Sequence, residues 1–195
     1  MYELLILGHL YAAPAHGYLI AKIINDMIGP YARFSNGRLY PLLTKLEQNE
    51  LIAIDASVQA EQSNRPFRAY CITESGRKRF RSLMMDISSN PGEYQRIFLQ
   101  KASFFSYITQ AERLYLIEHF LNYCQTHILH LQNEMEDMTQ NHHSYGAKWT
   151  PVYQRDVFET VEHVITQWQL EYSWAQHLKD RELADTDAME KGAEN

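Results

Sequence analysis

The chain has 195 residues, 45% of them hydrophobic, enough for one domain or two small ones with a buried core. No apolar run approaches the roughly 18 residues that span a membrane, and the start, MYELLILGHLYAAPAHGY, lacks a basic leader and reads as an amphipathic first helix rather than a signal peptide. Two cysteines, Cys71 and Cys124, have neither metal spacing nor a disulfide framework, so a cytoplasmic protein is expected.

The net charge of −6 argues at first against a nucleic-acid partner, but it is unevenly spread. Residues 1–82 carry a net +3 and residues 83–195 a net −9. A local basic patch is what attracts phosphates, so the overall acidity does not exclude DNA.

In chain order, residues 3–12 read as a helix with Leu4, Leu7 and Leu10 in step and Pro14 beyond its end. AHGYLIAKIINDMIG follows, with Leu19, Ile20, Ile23, Ile24, Met27 and Ile28 on one broad helical face and Gly29-Pro30 as the stop. The third helix lies in SNGRLYPLLTKLEQNELI, with Ser35 or Asn36 as its N-cap, Asn49 as its stop, and Leu39, Leu42, Leu43 and Leu46 as its inner face. The period then changes. Residues 51–54 and 67–73 are β-type runs joined by the polar loop 55–66, which makes a two-stranded hairpin. Thr73 caps a further helix, TESGRKRFRSLMMDI, with Glu74 in its first turn.

Three helices, a hairpin and a fourth helix are the layout of a winged helix-turn-helix, whose third helix enters the major groove while the hairpin loop, the wing, touches the backbone. Off the leucine face of the third helix lie Ser35, Asn36, Arg38, Thr44 and Lys45. Arg suits guanine edges, Asn suits adenine, and Lys or Ser suits phosphate. The wing offers Ser63, Asn64, Arg65 and Arg68. Alone, the third helix would read as an ordinary amphipathic helix with solvated charges; the surrounding order gives its outer face a purpose. Pro41 lacks an N–H and is tolerable only near a helix start.

After SSNPG at residues 88–92, a boundary signal, comes an aromatic-rich short helix, EYQRIFLQKASFFSYI. Thr109, with Glu112 three residues on, opens a long helix by a capping-box pattern. Leu114, Ile117, Leu121, Cys124, Ile128, Leu131, Met135 and Met138 form a heptad seam, suited to a helical partner in the same chain or another. After a loop, a last helix spans about 152–183 with Val157, Val161, Val164 and Trp168 as its stripe, and a frayed polar tail is expected beyond it.

AHGYLI, GRLYPLLTKLEQNELI and RPFRAYCITESG resemble the signature stretches of the PadR family of transcriptional regulators. The likeness falls on His16, Gly17, Tyr18, Gly37, Leu39, Tyr40, Pro41, Leu46, Glu47, Arg65, Pro66, Tyr70, Thr73 and Gly76, within the first 80 or so residues. It implies that Tyr18, Gly37, Tyr40 and Pro41 join Ser35, Asn36, Arg38, Thr44, Lys45, Asn64, Arg65 and Arg68 in the DNA-binding surface. Asn36, Arg38, Asn64 and Phe67 depart from the usual pattern, which bears on the operator sequence and not on the fold. The long C-terminal part is similar to the larger subgroup, whose helical domain makes a homodimer, and the name-giving members respond to phenolic acids.

Fifteen of the twenty-four aromatic residues fall after residue 82. An aromatic pocket with one cation would suit a planar carboxylate, and the candidate lining is Phe98, Lys101, Phe105, Trp149, Tyr153 and Arg155, with Lys148 a further cation. His127, His130 and Glu134, with His119, His163 and the pair His142-His143, could hold a metal in principle, but spacings of three and four arise easily in a chain with nine histidines, and no metal or cofactor is expected. Nor is an enzyme expected: no Gly-rich phosphate loop, nucleophile elbow or paired carboxylates stand out.

The expectation is a mainly helical protein with a winged-helix DNA-binding domain at 1–87, a helical dimerisation and ligand-binding domain at 93–184 and a polar tail at 185–195. Its function would be a homodimeric regulator, a repressor released from a palindromic double-stranded operator by an aromatic effector, with no membrane partner. The competing readings are a regulator answering to hydrophobic drugs and a dimeric helical protein-interaction module.

Overall fold

The computed structural model describes residues 1–29, 34–55, 68–88, 91–140 and 150–193, without the side chains of 91 and 185–193. They divide into two compact units, Met1–Thr109 and Gln110–Asn195.

The first unit holds α1 (Tyr2–Ala12), β1 (Ala15–His16), α2 (Gly17–Ile28), α3 (Asn36–Gln48), β2 (Ile52–Ile54), β3 (Ala69–Ile72), α4 (Glu74–Met85) and α5 (Tyr94–Ala102), with 3-10 turns at Pro91–Glu93 and Phe105–Tyr107. The sheet has three antiparallel strands in the order β1-β3-β2, with Ala53 opposite Cys71 and Ala15 opposite Tyr70. The expected hairpin is therefore joined by a third strand of only two residues, too short to show a period in the sequence.

α1 is expected to be amphipathic, but Leu4, Leu5, Ile6, Leu7, Gly8 and Leu10 are all buried. A helix apolar on every side is a central one, and α2, β3 and α4 all pack on it. Gly8 is required by a close approach: a Cβ there would sit 2.7 Å from Phe104 Cζ. Phe80 meets Phe104 edge-on at 5.8 Å, and Tyr11 stacks on Tyr107 at 4.6 Å. These contacts carry residues 93–109 into the N-terminal unit. The division thus falls at 109/110 rather than at SSNPG, because the aromatic cluster binds α5 and its following turn to α1 and α4.

Two joints fix the turns after α3 and before α4. The amide N–H of Leu51 donates to Leu46 O and that of Glu50 to Glu47 O, both at 2.9 Å. This is the paired closure of a Schellman motif, whose left-handed position usually belongs to glycine. Here Glu50 occupies it with φ 56°. At the start of α4, Thr73 Oγ1 accepts from Gly76 N at 3.0 Å and donates to Glu50 O at 2.6 Å. Gly76 has no room for a side chain: a Cβ would lie 2.0 Å from Leu51 O.

The second unit is a pair of helices, α6 (Gln110–Gln140) and α7 (Pro151–Ala193). They run antiparallel: Arg113 Nε pairs with Glu182 at 2.7 Å, Lys179 with Glu118 at 3.0 Å, and the rings of Tyr123 and Trp168 meet at 5.5 Å. α6 begins at Gln110, just after Thr109. α7 runs past the expected end near Leu183 to Ala193. Among seam residues, Ile117, Leu121 and Cys124 are buried beside Leu116 and Phe120. Within this unit they pack α6 on α7, and burial pushes the Cys124 thiol up to about 12. Leu114, Ile128, Leu131, Met135 and Met138 stay half-buried, as do Val157, Val161, Val164 and Trp168.

Candidate nucleic-acid interface

The interface is built on α2 and α3. His16 caps α2: its Nδ1 accepts the Leu19 amide at 3.1 Å. Gly17 opens the helix, and a Cβ on it would meet the Tyr40 ring at 3.2 Å. The glycine therefore makes the flat seat on which Tyr40 of α3 rests, which links the HGY and GRLYP stretches physically.

A second tie is Asn25, near the end of α2. Its Oδ1 accepts from Phe34 N at 2.7 Å, and its Nδ2 donates to Phe34 O at 3.1 Å and to Ala21 O at 2.7 Å. Phe34 is buried and stacks on Tyr2 at 4.3 Å. The next residue, Ser35, is the N-cap of α3. Asn25 and Phe34 thus fix where α3 begins. In the sequence Asn25 shows only as one amide inside the apolar run KIINDMIG.

α3 then sorts its residues cleanly. Leu39, Leu43 and Leu46 are buried, while Ser35, Asn36, Gly37, Arg38, Tyr40, Pro41, Thr44 and Lys45 are exposed. Ser35 makes no side-chain cap, so the helix N-terminus presents itself uncapped on the same face as Arg38, suited to phosphate oxygens. Pro41 lies inside the helix, not merely at its start, and the helix continues through it. The carbonyl that it leaves without its usual donor belongs to Gly37, on the exposed side, where solvent can satisfy it.

Tyr18 and Tyr40 are 69% and 51% exposed, high for aromatic rings, which favour burial. Arg68 is exposed at the foot of β3. Tyr70 beside it is buried, which raises its phenol above the ordinary value, with the Glu47 charge adding to the shift. Asn64, Arg65 and Ser63, with the rest of the wing loop, lie outside the described residues, as do Arg33, Trp149, Lys148, His142 and His143.

The expected effector lining is not an open pocket in the N-terminal unit. Phe98, Lys101 and Phe105 are 0%, 2% and 5% exposed, and the two rings meet edge-on at 6.1 Å. The Lys101 ammonium donates to Asp86 O, and burial lowers its pKa to about 8. These side chains are core: aromatic area favours burial, and the lysine stem follows it inward. Tyr153 and Arg155 are exposed on α7, with Arg155 paired to Asp156 at 3.0 Å and to Glu159 at 3.9 Å. Among the described residues no three His, Cys, Asp or Glu side chains stand close enough to hold a metal. His127 instead stacks on Trp168 at 4.4 Å, and burial lowers its pKa.

Four helices on a small antiparallel sheet, with the polar and basic face of α3 outward, make a winged-helix fold. The sequence match is more specific: residues 6–82 match the model described as the Transcriptional regulator PadR-like family. That family is one of regulators, not enzymes. Among solved structures, Bacillus subtilis PadR in complex with operator DNA is similar with TM-score 0.41 and 18% identity over 92% of this chain and 96% of that one. The same protein in complex with p-coumaric acid gives 0.38 and 18% over 92% and 97%. The Vibrio cholerae virulence activator AphA gives 0.38 and 21% over 97% and 99%. No curated protein matches the chain by sequence.

Proposed function

We propose that this chain is a PadR-like transcriptional regulator and acts as a homodimeric repressor that leaves a palindromic operator when a small aromatic effector, such as a phenolic acid, binds. The observation that carries the DNA half is the sorting of α3: leucines in, and Arg38, Asn36, Tyr40, Thr44 and Lys45 out. Arg38 is the base reader and Ser35, Lys45 and Arg68 hold phosphates, with Arg65 and Asn64 doing so from the wing. The dimer is supported by the α6–α7 pair, whose stripe at Leu114, Ile128, Leu131 and Met135 remains half-buried with two helices alone. A two-helix layer reaches a closed core when other helices cover it. The phenolic-acid response rests on the family resemblance.

The test is in vitro selection of bound sequences from random duplexes. The reading expects an inverted repeat with half-sites about one DNA turn, ~34 Å, apart, and lower affinity for it when p-coumarate is added. Absence of any enriched sequence, with a shallow salt dependence, would favour a protein-interaction module instead.

A further inference from the structure

β3 is the central strand of the sheet, and Tyr70 lies within it, opposite Ala15 on one side and Ile54 on the other. Strands on both sides hold its backbone, and the residue is 5% exposed, so its hydroxyl has a fixed place. Arg68 stands two residues earlier, and side chains two apart on extended chain share a face. The Arg68 guanidinium donates a hydrogen bond to the Tyr70 hydroxyl. α3 supplies the other neighbours. Tyr40 and Glu47 lie seven residues apart, two turns along one side of that helix. After burial itself, the Glu47 charge and the Tyr40 phenol push the Tyr70 hydroxyl up, which places both near it. Tyr40 is held in turn: its hydroxyl lies 3.3 Å from where a Cβ on Gly17 would stand, and Gly17 follows His16, the partner of Ala69 in the sheet. Tyr70 is thus a buried group that joins the foot of the wing strand to α3.

A phenylalanine would fill the same space without a hydroxyl to desolvate, so the hydroxyl itself needs a reason. Arg68 gives one. A guanidinium carries five N–H donors, so one bond to a phenol leaves the others for a phosphate. Arginine also has much rotamer freedom to lose on binding, and a side chain that is already held loses less. We infer that Tyr70 is a positioning residue for DNA binding: its hydroxyl holds the Arg68 guanidinium against the Tyr40–Glu47 side of α3, so that the wing strand's phosphate contact and the reading face of the helix meet one duplex in fixed register. This role rests on the regulator reading above.

The test compares wild type, Tyr70→Phe, Arg68→Ala and the double variant as full chains, by affinity for the selected duplex and for a scrambled one at several salt concentrations. Phenylalanine keeps the ring and the strand pairing. Tyr70→Phe should weaken both duplexes alike, by about 2- to 10-fold, because one long side chain must now be ordered on binding. Arg68→Ala should weaken both duplexes and lower the salt slope by about one. In the Arg68→Ala background Tyr70→Phe should have no further effect, since it acts through that arginine. A tyrosine that served packing alone would weaken binding in both backgrounds. The inference is overturned by wild-type affinity in Tyr70→Phe, by a loss that persists undiminished when Arg68 is already alanine, or by an Arg68→Ala protein with wild-type affinity and slope. A wild-type chain that selects no duplex is a different failure: it overturns the regulator reading, and the role of Tyr70 with it.

Discussion

Replacing Asn25 should unfasten the recognition helix. In Asn25→Ala the Phe34 amide loses a 2.7 Å acceptor and its carbonyl a 3.1 Å donor, and Ala21 O returns to its intrahelical bond alone. Phe34 is 3% exposed, so water reaches its backbone poorly. A buried group left unpaired costs about 1–3 kcal/mol; with two such groups and some relaxation, a loss of about 2–4 kcal/mol follows. For a chain of this size each kcal/mol moves Tm by about 2–4 °C, so the variant should melt roughly 5–15 °C lower. Asn25→Asp keeps the acceptor for Phe34 N and loses both donated bonds, so it should fall between. The assay is thermal unfolding by circular dichroism, paired with affinity for a selected duplex at a temperature where both variants are folded. Affinity should drop even there, because the start of α3 is no longer fixed. An Asn25→Ala protein that matches wild type in both Tm and affinity would refute the clamp.

Three further changes probe the scaffold. Gly76→Ala puts a methyl 2.0 Å from Leu51 O and breaks the 3.1 Å bond from Thr73 N; a loss of about 3 kcal/mol or more is expected in urea unfolding, and a neutral result would mean that the joint between β2 and α4 is misplaced. Glu50→Gly relieves the left-handed residue of the Schellman closure and should raise stability by up to about 1 kcal/mol, readable as a higher Tm. Lys101 has its pKa lowered by burial to about 8 from 10.5. Between those values the unfolded chain holds the proton and the folded chain does not, so stability should rise as pH climbs through 8, by up to about 3 kcal/mol at the far end. Cys124, raised to about 12 from 9.0, works the other way above pH 9. The clean comparison is therefore wild type against Lys101→Met from pH 7 to 9, and the variant should lack the rise.

Most helices of the N-terminal unit were legible because their apolar spacing and stop signals agree: Gly29 ends α2, Asn49 ends α3, and Thr73 caps α4 as its residue type suggests. The exposed set on α3 was legible for the same reason, since a leucine face implies its opposite. What the sequence hid is tertiary. Residues 93–109 follow a clear boundary signal, yet Phe104 meets Gly8 across nearly a hundred residues. No local pattern announces such a contact. The seam on α6 has a heptad spacing that does not name its partner, and the buried part of it turns out to face α7. Lys101 looked like a ligand cation because its type is usually exposed; its stem is drawn into a core of aromatics. Asn25 was invisible for a simpler reason: a lone amide has meaning only once its neighbours are placed.

The claim at the centre is that the outer face of α3 reads base sequence, with Arg38 as the reader. The most direct measurement is the ratio of affinities for the selected duplex and for a scrambled one, in wild type and Arg38→Ala, at fixed salt. A bidentate arginine–guanine pair is worth about 1–3 kcal/mol of discrimination. Arg38→Ala should therefore cut that ratio by roughly 5- to 150-fold, while Lys45→Ala weakens both duplexes alike. A ratio unchanged in Arg38→Ala would contradict the account.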